Sequence, residues 1–326
     1  MITFIVTTYN LEDRLLRRCL ASIVSQGLSR EAYEVIVVDD ESEVSPQSVI
    51  DEFIAGADIR LLVQKHKRQG AARNLALRHA RGEWIQFVDG DDYLFEHSVE
   101  PCLRLAEHRE LDLLMFGFRE VNDEMVSVTH RFNDDKTSFS SGNEYMAHNN
   151  LFGACWPMLF RRTLLEDPAY GEPLRFTENI YIEDEEFVTL LVWRAQWMAK
   201  VDYPVYAYYQ RSGSTVHSRN REHTDELFRN YFVVMHRLVN YQRAMYAMPH
   251  EGLTRKIHTL AVDILRRALR EEDWKERWYQ SAKALLELNL YPIVDGDYSL
   301  KYKLFRWLSR DSVGRMILRI YEKRLA

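Results

Sequence analysis

Cysteine is scarce: three residues in 326, Cys19, Cys102 and Cys155, far apart and without CxxC spacing. That excludes a disulfide framework and a zinc knuckle, so a reducing compartment is the simpler setting. No apolar run reaches the roughly 18 residues that cross a bilayer. The opening MITFIVTTYN has neither a basic leader nor a cleavage site, which points to a cytoplasmic protein. A basic excess is missing too. The formal charge is -6, whereas general nucleic-acid binders need surplus Lys and Arg to displace counterions from phosphates, so no nucleic-acid partner is expected. Internal repeats and low-complexity segments are also lacking.

The composition present is that of an ordinary globular protein, 46% hydrophobic and 28% charged, with enough chain for a large core plus an appendage. Short β-branched runs alternate with helical patterns over the first hundred residues, as in an α/β domain with a mostly parallel sheet. Strands are expected at Thr3 to Thr7, Glu34 to Val38, Ile59 to Val63 and Trp84 to Val88. Leu15, Leu16, Cys19, Leu20, Ile23 and Val24 recur at helical spacing, and a second helix is expected from Ala71 to His79. Leu111 to Phe118 reads as a further strand, after which the sheet changes character. The polar stretch Asn133 to Asn143 reads as a surface loop. From Arg221 the pattern is helical, with stripes Leu227, Tyr231, Val234, Leu238, Tyr241 and Leu260, Ile264, Leu265, Leu269. The expected division is therefore residues 1–220 as a catalytic domain and 221–326 as a helical appendage.

Chemistry concentrates where strands run out. FVDGDD places Asp89, Asp91 and Asp92 at the carboxyl end of the fourth strand, the position at which open α/β sheets bind ligands. Three carboxylates so close repel one another unless a cation lies between them, and their hard oxygens suit Mg²⁺ or Mn²⁺; the plainer reading is an acidic turn. VIVVDD ends likewise in Asp39 and Asp40, acceptors for a base N–H or ribose hydroxyls, or else turn residues. In QGAARNLAL, Gly70 permits close backbone approach, and Arg73 can pair with a site carboxylate, a phosphate or a surface partner. EDEEF sets Glu183 and Asp184 before an apolar helical run, as general-base candidates or as acids favoured by a helix macrodipole.

The order TTYN, VVDD, QGAARN, FVDGDD and YIEDEEF resembles the family 2 glycosyltransferases with the GT-A fold, over roughly residues 1–215. The resemblance implies a GT-A type mixed, mostly parallel sheet flanked by helices. It implies that Thr8, Tyr9, Asn10 and Asp39 or Asp40 line the nucleotide, that Asp89 and Asp91 form the DxD element, with Asp91 in direct metal contact and Asp92 sharing that role, and that Asp184 is the general base. YYQRSGSTVHS is similar to the element that closes over the diphosphate, with Arg211 on phosphate oxygens and His217 as a metal or phosphate ligand. Tyr93 to Glu96 lacks the proline the family often has there. GACWPMLFRR is similar to the family's acceptor-side segment, in which Trp156 stacks on a sugar or belongs to the core, while Met158 stands where relatives carry a polar residue.

The function implied is inverting hexosyl transfer from a nucleotide diphosphate sugar, commonly a UDP-sugar, to a hydroxyl of a glycan or lipid-linked acceptor. A sugar nucleotidyltransferase is the rival, but VTTYNLED has none of the glycines that grip a triphosphate, and the missing GxGxxG argues against a nicotinamide enzyme. A non-catalytic glycan-binding protein of the same fold is the second rival. Finally, residues 300–326 carry eight Lys or Arg against two acids, a net +6 that leaves -12 on the remainder. That tail can contact a membrane peripherally as a basic amphipathic helix, or pack against the acidic remainder.

Overall fold

The β-branched runs of the first ninety residues form β1 (Ile2–Thr8), β2 (Tyr33–Asp39), β3 (Ile59–Val63) and β4 (Trp84–Asp89). The near-continuous apolar character of β1, β2 and β4 suits strands covered on both faces, whereas β3, at the end of the strand order, is only partly buried. β1 pairs in parallel with β2 and β4, and β2 with β3, in a register that sets Thr8 opposite Asp39 and Thr7 opposite Asp89. The polar carboxyl ends of three strands thus share one edge of the sheet.

This computed structural model describes residues 1–122, 137–210, 221–296 and 298–325. After β4 come β5 (Tyr93–Leu94), β6 (Leu113–Val121), β7 (Ser138–Ser140), β8 (Met158–Arg161) and β9 (Met198–Tyr209). Among the described residues these complete one nine-stranded sheet in the order β3-β2-β1-β4-β8-β6-β9-β5, with β7 on β9. The change of character falls at β8, which is antiparallel to both β4 and β6. The strand expected at Leu111 to Phe118 runs three residues later at its far end. In the stretch expected as a surface loop, the described part holds β7 and the first residues of a helix; 133–136 lie outside the described residues.

Helices α1 (Asp13–Val24), α2 (Gln47–Asp51) and α4 (Val99–His108) pack on the face that presents Phe4, Val6, Val35, Val37, Trp84 and Val88. α3 (Arg68–His79) lies over β1 and β2. It serves the opposite face, where Phe87 meets Phe187 of α6 (Glu183–Arg194) edge-on at 6.0 Å. Ala72 and Ala76 of α3 are fully buried, and their small side chains bring that helix close to the strands.

The chain divides into two units, Met1–Gly142 with Gly153–Arg219, and Asn143–Phe152 with Asn220–Ala326. The second unit takes up most of α5 (Gly142–His148) and contains α7 (Arg221–Ala244), α8 (Glu251–Arg270), α9 (Trp274–Glu287), α10 (Leu300–Leu308) and α11 (Ser312–Leu325). The Leu260, Ile264, Leu265, Leu269 stripe is buried, as its period requires. The terminal helices pack on α8. Glu322, almost fully buried, accepts from Arg266 at 2.6 Å and from Arg270 at 2.7 Å, and Arg319 donates to the carbonyls of Leu269 and Glu271 that end α8.

Candidate functional site

Arg73, 1% exposed, is the hub of the strand-end cleft. One guanidinium nitrogen donates to Asp184 Oδ1 at 2.5 Å and to Glu183 Oε1 at 3.1 Å; the other donates to Asp89 Oδ1 at 2.9 Å. Gln69, one helical turn earlier and therefore on the same face of α3, also reaches Asp89 Oδ1, at 2.6 Å, and Thr7 Oγ1 at 3.2 Å. Asn74 clamps the main chain of Phe176 through both its amide atoms at 2.9 Å. Gly70 explains how the segment leading into α6 comes so close: a Cβ there would lie 3.0 Å from both Glu183 Cγ and the Thr177 carbonyl oxygen. The motif QGAARN thus joins the end of β4 to the start of α6.

That start is strained and acidic. Ile182 takes φ 61, a left-handed conformation costly for a β-branched residue, and four acids fill the first turn, where the helix dipole favours them. Burial pushes the Asp184 carboxyl above its ordinary range; Arg73 pulls it back, and the charge of Asp89 pushes again upward, while the thiol and main chain of Cys155 donate to it. Glu183 is raised to about 7, first by burial and then by Asp184, with Arg73 opposing.

Around FVDGDD the three carboxylates take different surroundings. Asp92 is 1% exposed, and its two oxygens accept from Tyr206 Oη at 2.6 Å and the Tyr209 amide at 2.7 Å. The same hydroxyl accepts from the Asp89 amide at 3.0 Å, so Tyr206 ties both ends of the turn to β9. Asp91 stays half-buried. Its main-chain carbonyl accepts from Arg18 at 2.8 Å, whose guanidinium lies over the rings of Tyr93 and Tyr209 at 4.7 and 4.2 Å. Burial, and then the charges of Asp89 and Asp91, hold the Asp92 carboxyl well above its usual range. Negative charge is therefore in excess at this strand end, and its hard oxygens fit Mg²⁺ or Mn²⁺. Among the described residues no three His, Cys, Asp or Glu side chains converge to hold an ion by themselves.

Thr8, Tyr9, Asn10, Asp39 and Asp40 gather at the ends of β1 and β2. The Asn10 amide donates to Ser42 Oγ at 2.8 Å, and that hydroxyl donates to Asp39 at 2.5 Å. Asp40 accepts from Gln64 at 2.7 Å and the Lys67 amide at 2.9 Å, and lies 2.9 Å from the His66 ring nitrogen. The His66 ring rests on Tyr9 at 4.4 Å, leaving Tyr9 49% exposed. Arg211 and His217 lie outside the described residues. Trp156 is a core residue, stacked on Tyr206 at 4.4 Å and Tyr208 at 5.4 Å, and Met158 is fully buried. Sequence reasoning missed Arg18, His66, Gln69, Cys155 and Tyr206. Only Gln69 carried a signal, its i,i+4 spacing to Arg73.

The family model described as Glycosyl transferase family 2 matches residues 3–167. Among curated relatives, a poly(ribitol-phosphate) beta-glucosyltransferase of Bacillus spizizenii is 26% identical over 65% of this chain and 33% of its own length. The putative glycosyltransferase EpsH of Bacillus subtilis is 29% identical over 64% of this chain and 60% of its own. The chain thus spans between a third and three fifths of the length of these relatives. In fold, residues 1–349 of Staphylococcus aureus TarS, solved in complex with UDP-GlcNAc, superpose with a TM-score of 0.71 at 18% identity, covering 99% of this chain and 89% of that one. That likeness identifies the architecture as GT-A, a mixed sheet flanked by helices with a helical C-terminal region. No helix among the described residues is long and apolar enough to cross a membrane. With the family model spanning half of its length, the chain belongs to glycosyl transferase family 2.

Proposed function

We propose that the chain transfers a sugar, with inversion, from a UDP-sugar to a hydroxyl of a glycan or lipid-linked acceptor. The observation that carries this reading is the Arg73 bridge, which fixes Asp184 and Asp89 on opposite nitrogens of one buried guanidinium. Tyr9, with its exposed face, suits a stacked base, and Asp39 and Asp40 supply acceptors beside it for the base or the ribose. The relatives named as poly(ribitol-phosphate) glycosyltransferases and the UDP-GlcNAc held by TarS support a uridine donor and a polymeric hydroxyl acceptor.

Asp184 takes the proton from the acceptor hydroxyl, a poor nucleophile until a positioned carboxylate does so. Arg73 keeps Asp184 aimed and favours its ionised form against the cost of burial. A single displacement at the anomeric carbon then inverts it and releases a nucleoside diphosphate. Mg²⁺ or Mn²⁺, held by Asp91, would neutralise charge on that leaving group. Asp92, with both oxygens engaged by Tyr206 and Tyr209, acts as the anchor of the turn. The proposed setting is the cytoplasm, with peripheral contact at the inner membrane face through 300–326.

The test is a thermal-shift screen of UDP-, GDP- and dTDP-sugars with and without Mn²⁺, since a ligand that binds the folded state alone raises the melting temperature. A metal-dependent rise with a UDP-sugar is expected. No rise with any nucleotide sugar would sink the reading.

A further inference from the structure

The terminal helices present two faces of opposite character. Inward, Tyr302, Phe305, Leu308 and Leu318 are buried and Glu322 is neutralised by two arginines. Outward, Leu300, Leu304, Trp307, Val313, Ile317 and Ile320 are all more than half exposed or close to it, Trp307 at 65% and Val313 at 70%. Lys301, Lys303, Arg310, Lys323 and Arg324 are exposed among them, and Asp311 is the one exposed acid between Leu300 and Arg324. Packing on α8 therefore uses up the inward face and its acid, leaving a surface that is apolar and cationic.

Beside that ridge runs a groove between α9 and α11. Lys275, Lys283 and Arg315 contribute its charges and no acidic residue lines it; Tyr279, Leu286 and Trp278 form its walls. Arg315 is held in place, donating to the Ser309 carbonyl at 3.1 Å with its guanidinium 5.7 Å over the Trp278 ring. Three cations against aromatic walls make a receptacle for a phosphate carried on an apolar body.

We propose that the ridge and this groove dock together on an anionic phospholipid bilayer, headgroup phosphate entering between Lys275, Lys283 and Arg315. This deepens the proposed membrane contact of 300–326, on which it rests, by naming the face, the groove and the lipid charge. Charge decides between occupants. A second copy of the same face would set cations against cations, whereas a bilayer bearing anionic headgroups answers both the charge and the exposed Trp, Leu and Ile side chains, which insert at the headgroup level.

The experiment is sedimentation of the full chain with phosphatidylcholine vesicles and with vesicles containing about 30% phosphatidylglycerol. Lys275→Gln/Lys283→Gln and Trp307→Glu/Ile317→Glu are compared with the parent, and unchanged thermal melts confirm folding of these surface variants. The parent is expected to sediment with the anionic vesicles alone. Loss of two groove charges should weaken that roughly 25-fold, at about fivefold per basic residue, and the apolar double variant should lose it. Undiminished binding by Lys275→Gln/Lys283→Gln overturns the groove while leaving the membrane contact standing. Absence of parent binding to both vesicles overturns the contact and the groove alike, and an oligomer that Trp307→Glu/Ile317→Glu dissociates would then assign the face to a second copy.

Discussion

Arg73 and Asp184, 111 positions apart in sequence, meet at 2.5 Å with the arginine 1% exposed. A lysine there keeps the charge but cannot hold Asp184 and Asp89 on separate nitrogens of a planar fork. Arg73→Lys is therefore expected to stay folded and lose transfer by on the order of 10²-fold, the scale of an ångström misplacement in a reacting site. Arg73→Ala leaves three carboxylates without their partner and should cost roughly 3–5 kcal/mol in urea unfolding. A Lys variant with parental turnover would remove Arg73 from the mechanism.

Asp184→Asn keeps the shape of the side chain and the Arg73 contact through its amide oxygen, while removing the basic site. Donor affinity, read by calorimetry, should hold. Transfer should fall by roughly 10²- to 10⁴-fold, as when a general base is lost. A mild effect on turnover would shift the role to Glu183 or Glu185.

Much of this arrangement could be read from the chain because it follows strand ends. Asp39 and Asp89 each close an apolar β-branched run, and a parallel sheet with aligned register must bring such ends together. The helices beyond Arg221 were legible for a similar reason, since their apolar stripes repeat at the helical period. What escaped depends on contacts made across the fold. His66 sits in a loop without period and acquires meaning only when Tyr9 lies under it. Tyr206 belongs to a strand whose pairing with β6 and β5 no local pattern announces. The strand β7 is three residues long, too short for alternation to show against the polar stretch around it. Asp91 and Asp92 are chemically identical neighbours, and only burial separates them.

Glu183 gives the protein a pH signature. With its folded pKa raised to about 7 by burial, its protonated form is favoured in the folded state. The stability it contributes is fully present below its ordinary value near 4.5 and is lost as pH rises through about 7. Glu183→Gln removes that titration and keeps an oxygen for Arg73. Between pH 4.5 and 7 the parent should therefore lose stability relative to the variant, measured by urea unfolding across the range. Parallel stability curves would show that Glu183 titrates in the folded protein as it does in the unfolded chain.

The neighbouring acids of FVDGDD separate by substitution. Asp91 is half-buried at the cleft, so Asp91→Asn removes an anionic oxygen donor and should abolish Mn²⁺-dependent donor binding and transfer with the fold intact. In Asp92→Asn the amide oxygen can still accept from the Tyr209 amide, and the amide nitrogen can donate to Tyr206 Oη, so the turn keeps both anchors. Loss of a buried charge that Asp89 and Asp91 repel compensates for the weaker bonds. Asp92→Asn should therefore retain Mn²⁺ dependence within a few-fold of the parent, read as donor binding against Mn²⁺ concentration. Equal loss of Mn²⁺ dependence in both variants would instead make Asp92 a ligand, with its Tyr206 and Tyr209 contacts exchanged for the metal.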